Sequence, residues 1–166
     1  DYEARCRLLR EVFDHPAITT DVIVGFPGET EEEFALTKEY LERIHFYEMH
    51  IFKYSRRAGT KAAVMPDQIP EEVKEERRAD VMELQQEIAF EHCENMVGKV
   101  LDVMIEGKVA DEPAYVGRTY MDAPNVDGLI FVNADEMLMS GDFVRVKVTG
   151  ANEYDLIGEV YHESAE

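Results

Sequence analysis

The stretch Thr20-Asp21-Val22-Ile23-Val24-Gly25-Phe26-Pro27-Gly28-Glu29-Thr30 constrains this chain more than any other. An apolar run ends in a Gly/Pro turn and passes at once into an acidic helix start. Val22-Ile23-Val24 is nearly continuous in apolar residues, which predicts a strand buried on both faces, as in a parallel sheet. Phe26-Pro27-Gly28 predicts the turn. Thr30 stands as the N-cap, with Glu33 three residues on as its capping-box partner. The glutamates at 31–33 suit the positive end of the helix dipole. Open α/β folds place their sites at such points, the carboxyl ends of strands.

The surrounding pattern extends this unit. Tyr2, Cys6, Leu9 and Phe13 recur at helical spacing and predict a helix over 2–13 with those residues inward. Asp14-His15-Pro16 stops it, because a residue before proline is pushed out of the helical region. A strand over Ile18–Val24 follows, then a helix from Glu31 to about Arg43 with Phe34, Leu36, Leu41 and Ile44 on its apolar side. Phe46 to Tyr54 is the next strand, Ser55 to Pro70 a loop, and 71–95 one long charged helix carrying Val73, Val81, Leu84, Ile88 and Phe90. Helix, strand, helix, strand is a β/α repeat with parallel pairing. Two strands leave open sheet edges, so self-association through those edges is expected.

From Lys99 the pattern changes to short alternating segments: 100–105, 114–118, 129–132, 143–148 and 156–160. Asp111-Glu112-Pro113, Pro124-Asn125, Ser140-Gly141-Asp142 and Ala151-Asn152 separate them. Five short strands so spaced predict a small antiparallel barrel. The expected architecture is therefore α/β over 1–95, followed by a five-stranded antiparallel β-barrel over 96–166.

Charge narrows the partners. Against 17 Lys and Arg stand 36 Asp and Glu, a formal charge of -19. The barrel half holds 5 basic and 14 acidic residues. Such a surface repels phosphate backbones and favours a basic partner. Cys6 and Cys93 stand far apart and form neither a disulfide framework nor a metal motif. Iron–sulfur clusters usually take three or four thiolates, more than these two cysteines supply. No apolar run reaches the length of a bilayer span, and the charged start lacks the pattern of a signal peptide. A cytoplasmic protein, with no membrane partner, is the expectation. Asp1 in place of an initiator Met fits a chain cut from a longer one.

Three segments stand out as candidate sites. Gly25, Phe26 and Glu29 sit at a strand end, where glycines let a ligand approach the backbone and Glu29 can accept hydrogen bonds. The same turn reads equally as a structural βα connection. Tyr54, Arg56 and Arg57 follow the second strand; the arginines can bind a carboxylate or pair with nearby glutamates. In the barrel half, Gly117 to Gly128 joins two strands around Pro124, with Arg118, Asp122 and Asp127 as polar groups. It reads either as a recognition loop or as a well-made turn.

These residues carry a resemblance. Asp21 to Phe34 resembles the strand-and-loop signature of the radical S-adenosylmethionine methylthiotransferases. Phe52 to Ala63 is similar to their next strand and loop, Gln68 to Arg77 to the helix start that follows, and the tail to their small TRAM barrel. Gly117-Arg118-Thr119 with Asp122 to Gly128 resembles the branch that modifies an aspartate of ribosomal protein S12. The stretch from His50 to Gln68 also resembles a tRNA-modifying branch, the alternative in which the TRAM barrel binds RNA. The resemblance implies that residues 1–95 are the C-terminal portion of a radical SAM (β/α) barrel. It implies S-adenosyl-L-methionine and two 4Fe-4S clusters in the parent enzyme. It places Gly25, Phe26 and Glu29 by the S-adenosylmethionine pocket, with Tyr54, Arg56 and Arg57 at its rim. Arg118, Asp122, Pro124 and Asp127 would dock the protein substrate. With no cluster ligands of its own, the chain alone is expected to bind no cofactor stably and to be inactive.

Overall fold

Parallel pairing of the two N-terminal strands organises the first half of the protein, seen in a computed structural model that describes residues 1–124 and 126–162. Strand β1 (Thr19–Val24) pairs with β2 (Glu48–Lys53) in register from Thr19 opposite Glu48 to Val24 opposite Lys53. The intervening helix α2 (Glu31–Ile44) makes the crossover. Its start carries the expected capping box: Thr30 Oγ1 accepts from the Glu33 amide at 3.2 Å, and Glu33 Oε2 from the Thr30 amide at 2.9 Å. Its end is closed by His45 in the left-handed region, φ 58°.

One face of this sheet is filled. Val22, Val24 and Met49 pack with Cys6 of helix α1 (Tyr2–Val12), with Phe34, Leu41 and Ile44 of α2, and with Val81 and Ile88 of helix α3 (Glu71–Asn95). The other face is open, which corrects the expectation of burial on both sides. Ile23 is 57% exposed and Phe52, opposite it in register, 52%. All three helices contribute to the same core, and side chains alternate across a strand, so every second residue is left outside. The inward stripe expected of α1 also shrinks: Cys6 is buried, whereas Tyr2, Leu9 and Phe13 are exposed. Leu36 of α2 is exposed as well. The loop after β2 contains a short 3-10 turn, Ala62–Val64, with Ala63 buried.

The second half is a closed barrel of β3 (Val100–Lys108), β4 (Ala114–Arg118), β5 (Ile130–Asn133), β6 (Phe143–Asn152) and β7 (Asp155–Val160). Its order is β3-β4-β5-β7-β6, closing back on β3. The expected all-antiparallel arrangement is corrected at one seam, where β5 and β7 run parallel. A ring with an odd number of strands cannot alternate direction all the way round. The tight β6–β7 hairpin and the antiparallel β3–β6 pair push the unavoidable parallel contact onto β5 and β7. Val103, Ile105, Ile130, Val132, Val146 and Val148 fill the interior. The barrel is narrow at Gly117, where a Cβ would stand 2.6 Å from Val103 Cγ1 and 2.8 Å from the Met104 carbonyl oxygen.

The chain divides into two units, Asp1–Ile88 and Ala89–Glu166. The division falls within α3, whose last residues group with the barrel.

Candidate functional site

The turn after β1 is built around two left-handed glycines, Gly25 at φ 72° and Gly28 at φ 87°. The Gly28 amide donates to the Asp67 carbonyl at 2.9 Å, and the Glu29 amide to the Phe26 carbonyl at 2.9 Å. The Glu29 side chain folds back inside the turn. Its Oε2 accepts from the Gly25 amide at 2.8 Å and from Arg77 Nη1 at 2.6 Å. Arg77 Nη1 also reaches the Glu29 carbonyl at 3.1 Å, while its Nη2 pairs with Glu31. The Arg77 guanidinium lies 5.2 Å from the Phe34 ring centroid. Burial works against the Arg77 charge, but the hydrogen bonds of Glu31 and Glu29 outweigh it and raise its pKa.

The loop after β2 is held from the same helix. Lys74, also buried, donates to the Tyr54 carbonyl at 3.1 Å and stands 5.4 Å from the Tyr54 ring centroid. The Tyr54 ring meets Phe26 edge-on at 5.3 Å, so the two loops touch. The buried Tyr54 hydroxyl has no hydrogen-bond partner among the described residues. Lys53 bridges Glu71 at 2.8 Å and Glu75 at 2.5 Å. Hydrogen bonding to Lys53, reinforced by its charge, lowers the pKa of both carboxyls. Arg56 Nε donates to the Ala63 carbonyl at 2.7 Å, a partner that neither sequence alternative named. Arg57 serves the loop through its backbone, its carbonyl accepting from Thr60 Oγ1 at 2.8 Å, and its side chain is exposed.

Gly25, Phe26, Glu29 and Tyr54 thus come together, with Arg56 and Arg57 on the loop beyond. Sequence reasoning missed Lys74 and Arg77. The signal was present: positions 74, 77, 81, 84 and 88 fall on one helical stripe, and Val81, Leu84 and Ile88 mark it as inward.

In the barrel unit the four candidate docking residues take different parts. Asp122 faces inward, its Oδ2 accepting from Thr119 Oγ1 at 2.7 Å and from the Thr119 amide at 3.2 Å. Asp127 Oδ2 accepts from the Ala123 amide at 2.5 Å. Arg118 Nε donates to Glu106 Oε1 at 3.0 Å. Pro124 is exposed, as are Tyr120 and Val126. Asn125, part of the same loop, lies outside the described residues. Elsewhere on the barrel, Asp135, Glu136, Glu159 and His162 line an open depression of about 480 Å³.

The cysteines do not fit a cluster. Cys6 lies in the core of the N-terminal unit and Cys93 in that of the barrel. Burial, then the charges of Asp122 and Asp155, push the Cys93 thiol up to about 11, away from the thiolate form a metal needs. Among the described residues no three His, Cys, Asp or Glu side chains are grouped to hold a metal ion, and no helix is long and apolar enough to cross a membrane.

Residues 97–160 match the TRAM domain family. The chain is 52% identical to the ribosomal protein uS12 methylthiotransferase RimO of Lachnoclostridium phytofermentans over 150 residues, 90% of this chain and 34% of that protein. It is 47% identical to the Thermoanaerobacter protein of the same name over 86% of this chain and 32% of the relative. For Clostridium novyi the values are 44%, 95% and 35%. The barrel is thus a TRAM domain. Across nine-tenths of its length the chain is similar to the ribosomal protein uS12 methylthiotransferases, and it spans about a third of the length of these relatives.

Proposed function

We propose that this chain is part of an S-adenosylmethionine-dependent methylthiotransferase acting on an aspartate of ribosomal protein uS12. In this reading residues 1–95 are the C-terminal part of a radical SAM β/α barrel, and the TRAM domain docks the substrate. The observation that carries it is the 52% identity across nine-tenths of the chain. The site supports it physically. Ile23 and Phe52, register partners near the carboxyl ends of two parallel strands, expose a small apolar shelf suited to an adenine ring, and Phe26 is exposed on the turn that follows. The acidic chain suits a basic ribosomal protein better than tRNA.

S-adenosylmethionine, when bound, supplies the radical-forming and methyl-donating chemistry. The residues of this chain would bind and orient it: the shelf takes the apolar ring, the glycine turn brings backbone close to it, and Arg57 offers an exposed cation for its carboxylate. Arg118, Pro124 and Asp127 would present the docking loop, while Asp122 shapes it from within. No step is assigned to an iron–sulfur cluster, whose ligands these cysteines do not fit.

A chimera tests the proposal. These residues replace the matching third of the Lachnoclostridium phytofermentans relative, and the product is assayed on uS12 and on tRNA by mass spectrometry. Methylthiolation of the uS12 aspartate is expected. Modification of tRNA instead would replace this reading with the RNA-directed one. The chain alone is expected to be inert, and turnover of a uS12 peptide by it would overturn that expectation.

A further inference from the structure

The Glu29 carboxylate is turned into the protein, where one oxygen already serves the Gly25 amide and Arg77. That geometry is hard to reconcile with a group waiting for a ligand. Arg77 is the centre of the arrangement. Its fork holds the Glu29 carboxylate, the Glu29 carbonyl and the Glu31 carboxylate together, across 48 residues of sequence. A guanidinium grips several oxygens at once in a fixed plane, which a lysine cannot copy. Arg77 Nε has no hydrogen-bond partner among the described residues, so the cation depends on these contacts alone for its hydrogen bonds. Three residues earlier on the same helix, Lys74 holds the Tyr54 carbonyl. Its aliphatic stem occupies the space where a Cβ on Gly25 would stand. One helical stripe therefore fixes both strand-end loops.

We propose that Arg77 is a positioning residue for the adenosyl ligand: acting through Glu29, it fixes the turn that forms the pocket edge, and Glu29 itself makes no ligand contact. The inference rests on the pocket reading given above and separates from it in the test. Removing one member of a buried ion pair strands the other, an effect large enough to open a local structure about a hundredfold more often.

The test is a cycle of Arg77→Met, Glu29→Gln and the double substitution, with two readouts. The first is hydrogen exchange at the Gly25 and Glu29 amides in the whole 166-residue chain, with no ligand present. Arg77→Met is expected to speed both about a hundredfold while the barrel amides keep their protection. The second is the dissociation constant for S-adenosylmethionine in the chimera. Each single substitution should weaken binding, and the double substitution should weaken it no further than the worse single one. Additive losses would mean that Glu29 touches the ligand directly, which overturns the proposal. Unchanged exchange at Gly25 overturns it as well. Absence of binding in the unsubstituted chimera would instead remove the pocket reading, while the exchange readout still reports the clamp. Arg77→Lys provides the series where Arg77→Met unfolds the N-terminal unit: it keeps the charge, loses the fork, and should give an intermediate exchange rate.

Discussion

Each strand of the barrel has a hydrogen-bonded neighbour on both sides, whereas β1 and β2 have one each among the described residues. The contrast extends to the groups each unit buries. The barrel interior is a set of aliphatic side chains, and its buried polar pair, Thr119 and Asp122, is satisfied within one short turn. The N-terminal unit buries Lys74 and Arg77, which hydrogen-bond to residues 20 to 48 positions away, Lys74 also pairing with Glu71 on its own helix. A closed ladder leaves no edge for a partner strand, so apolar filling is enough to hold it. Among the described residues the open pair of strands has one bare face and two free edges, and charged side chains from a helix add to the apolar core that joins it. The unit that adds buried ions to its apolar core is also the one that carries the candidate pocket.

The largest expected effect sets one isoleucine against another. Ile130→Ala in the filled barrel should cost about 2–5 kcal/mol. Ile23→Ala, at a residue already 57% exposed, should stay within about 0.5 kcal/mol. Denaturant unfolding, resolved unit by unit through hydrogen exchange, measures both. A large loss at Ile23 would break the comparison, because it would mean that the open face is covered in solution, as by a second copy of the chain. Next in size is Gly25→Ala. It places a side chain at φ 72° and against Lys74, and should destabilise the N-terminal unit by about 1–3 kcal/mol while the barrel is untouched. The smallest effect sharpens the ionic side of the comparison. Glu71 and Glu75 have lowered pKa values in the folded chain. Their contribution is therefore complete above the ordinary carboxylate pKa and is lost as the pH falls through the lowered folded values. In Lys53→Met the two titration midpoints, followed by NMR, should move up towards ordinary values. Midpoints that do not move would mean that Lys53 is not joined to them in solution.

Much of this was readable from the chain. The capping box at Thr30 and Glu33 and the long helix 71–95 appear where local spacing put them, because both depend on residues within one helix turn. The five barrel strands were marked by alternation and turn residues. The parallel seam between β5 and β7 was not, since it follows from the closure of a ring and leaves no local trace. The open face at Ile23 was hidden for a similar reason. An apolar residue in a strand looks the same whether or not anything covers it. Lys74 and Arg77 are two charges among many on helix 71–95, and only the stripe they share with Val81, Leu84 and Ile88 marks them as inward. At the candidate site the sequence located the turn but not the direction of Glu29, which is decided by a residue 48 positions away.

The packing of Lys74 against Gly25 also has a consequence for heredity. The absent side chain of one residue and the long side chain of the other share a single space, so the two positions are one unit of variation. In a library that randomises both, substitutions at 25 should survive chiefly when 74 has been shortened, and among them asparagine, which tolerates the left-handed backbone, should be enriched. A lineage descended from this sequence would then change the two together or leave both as they are.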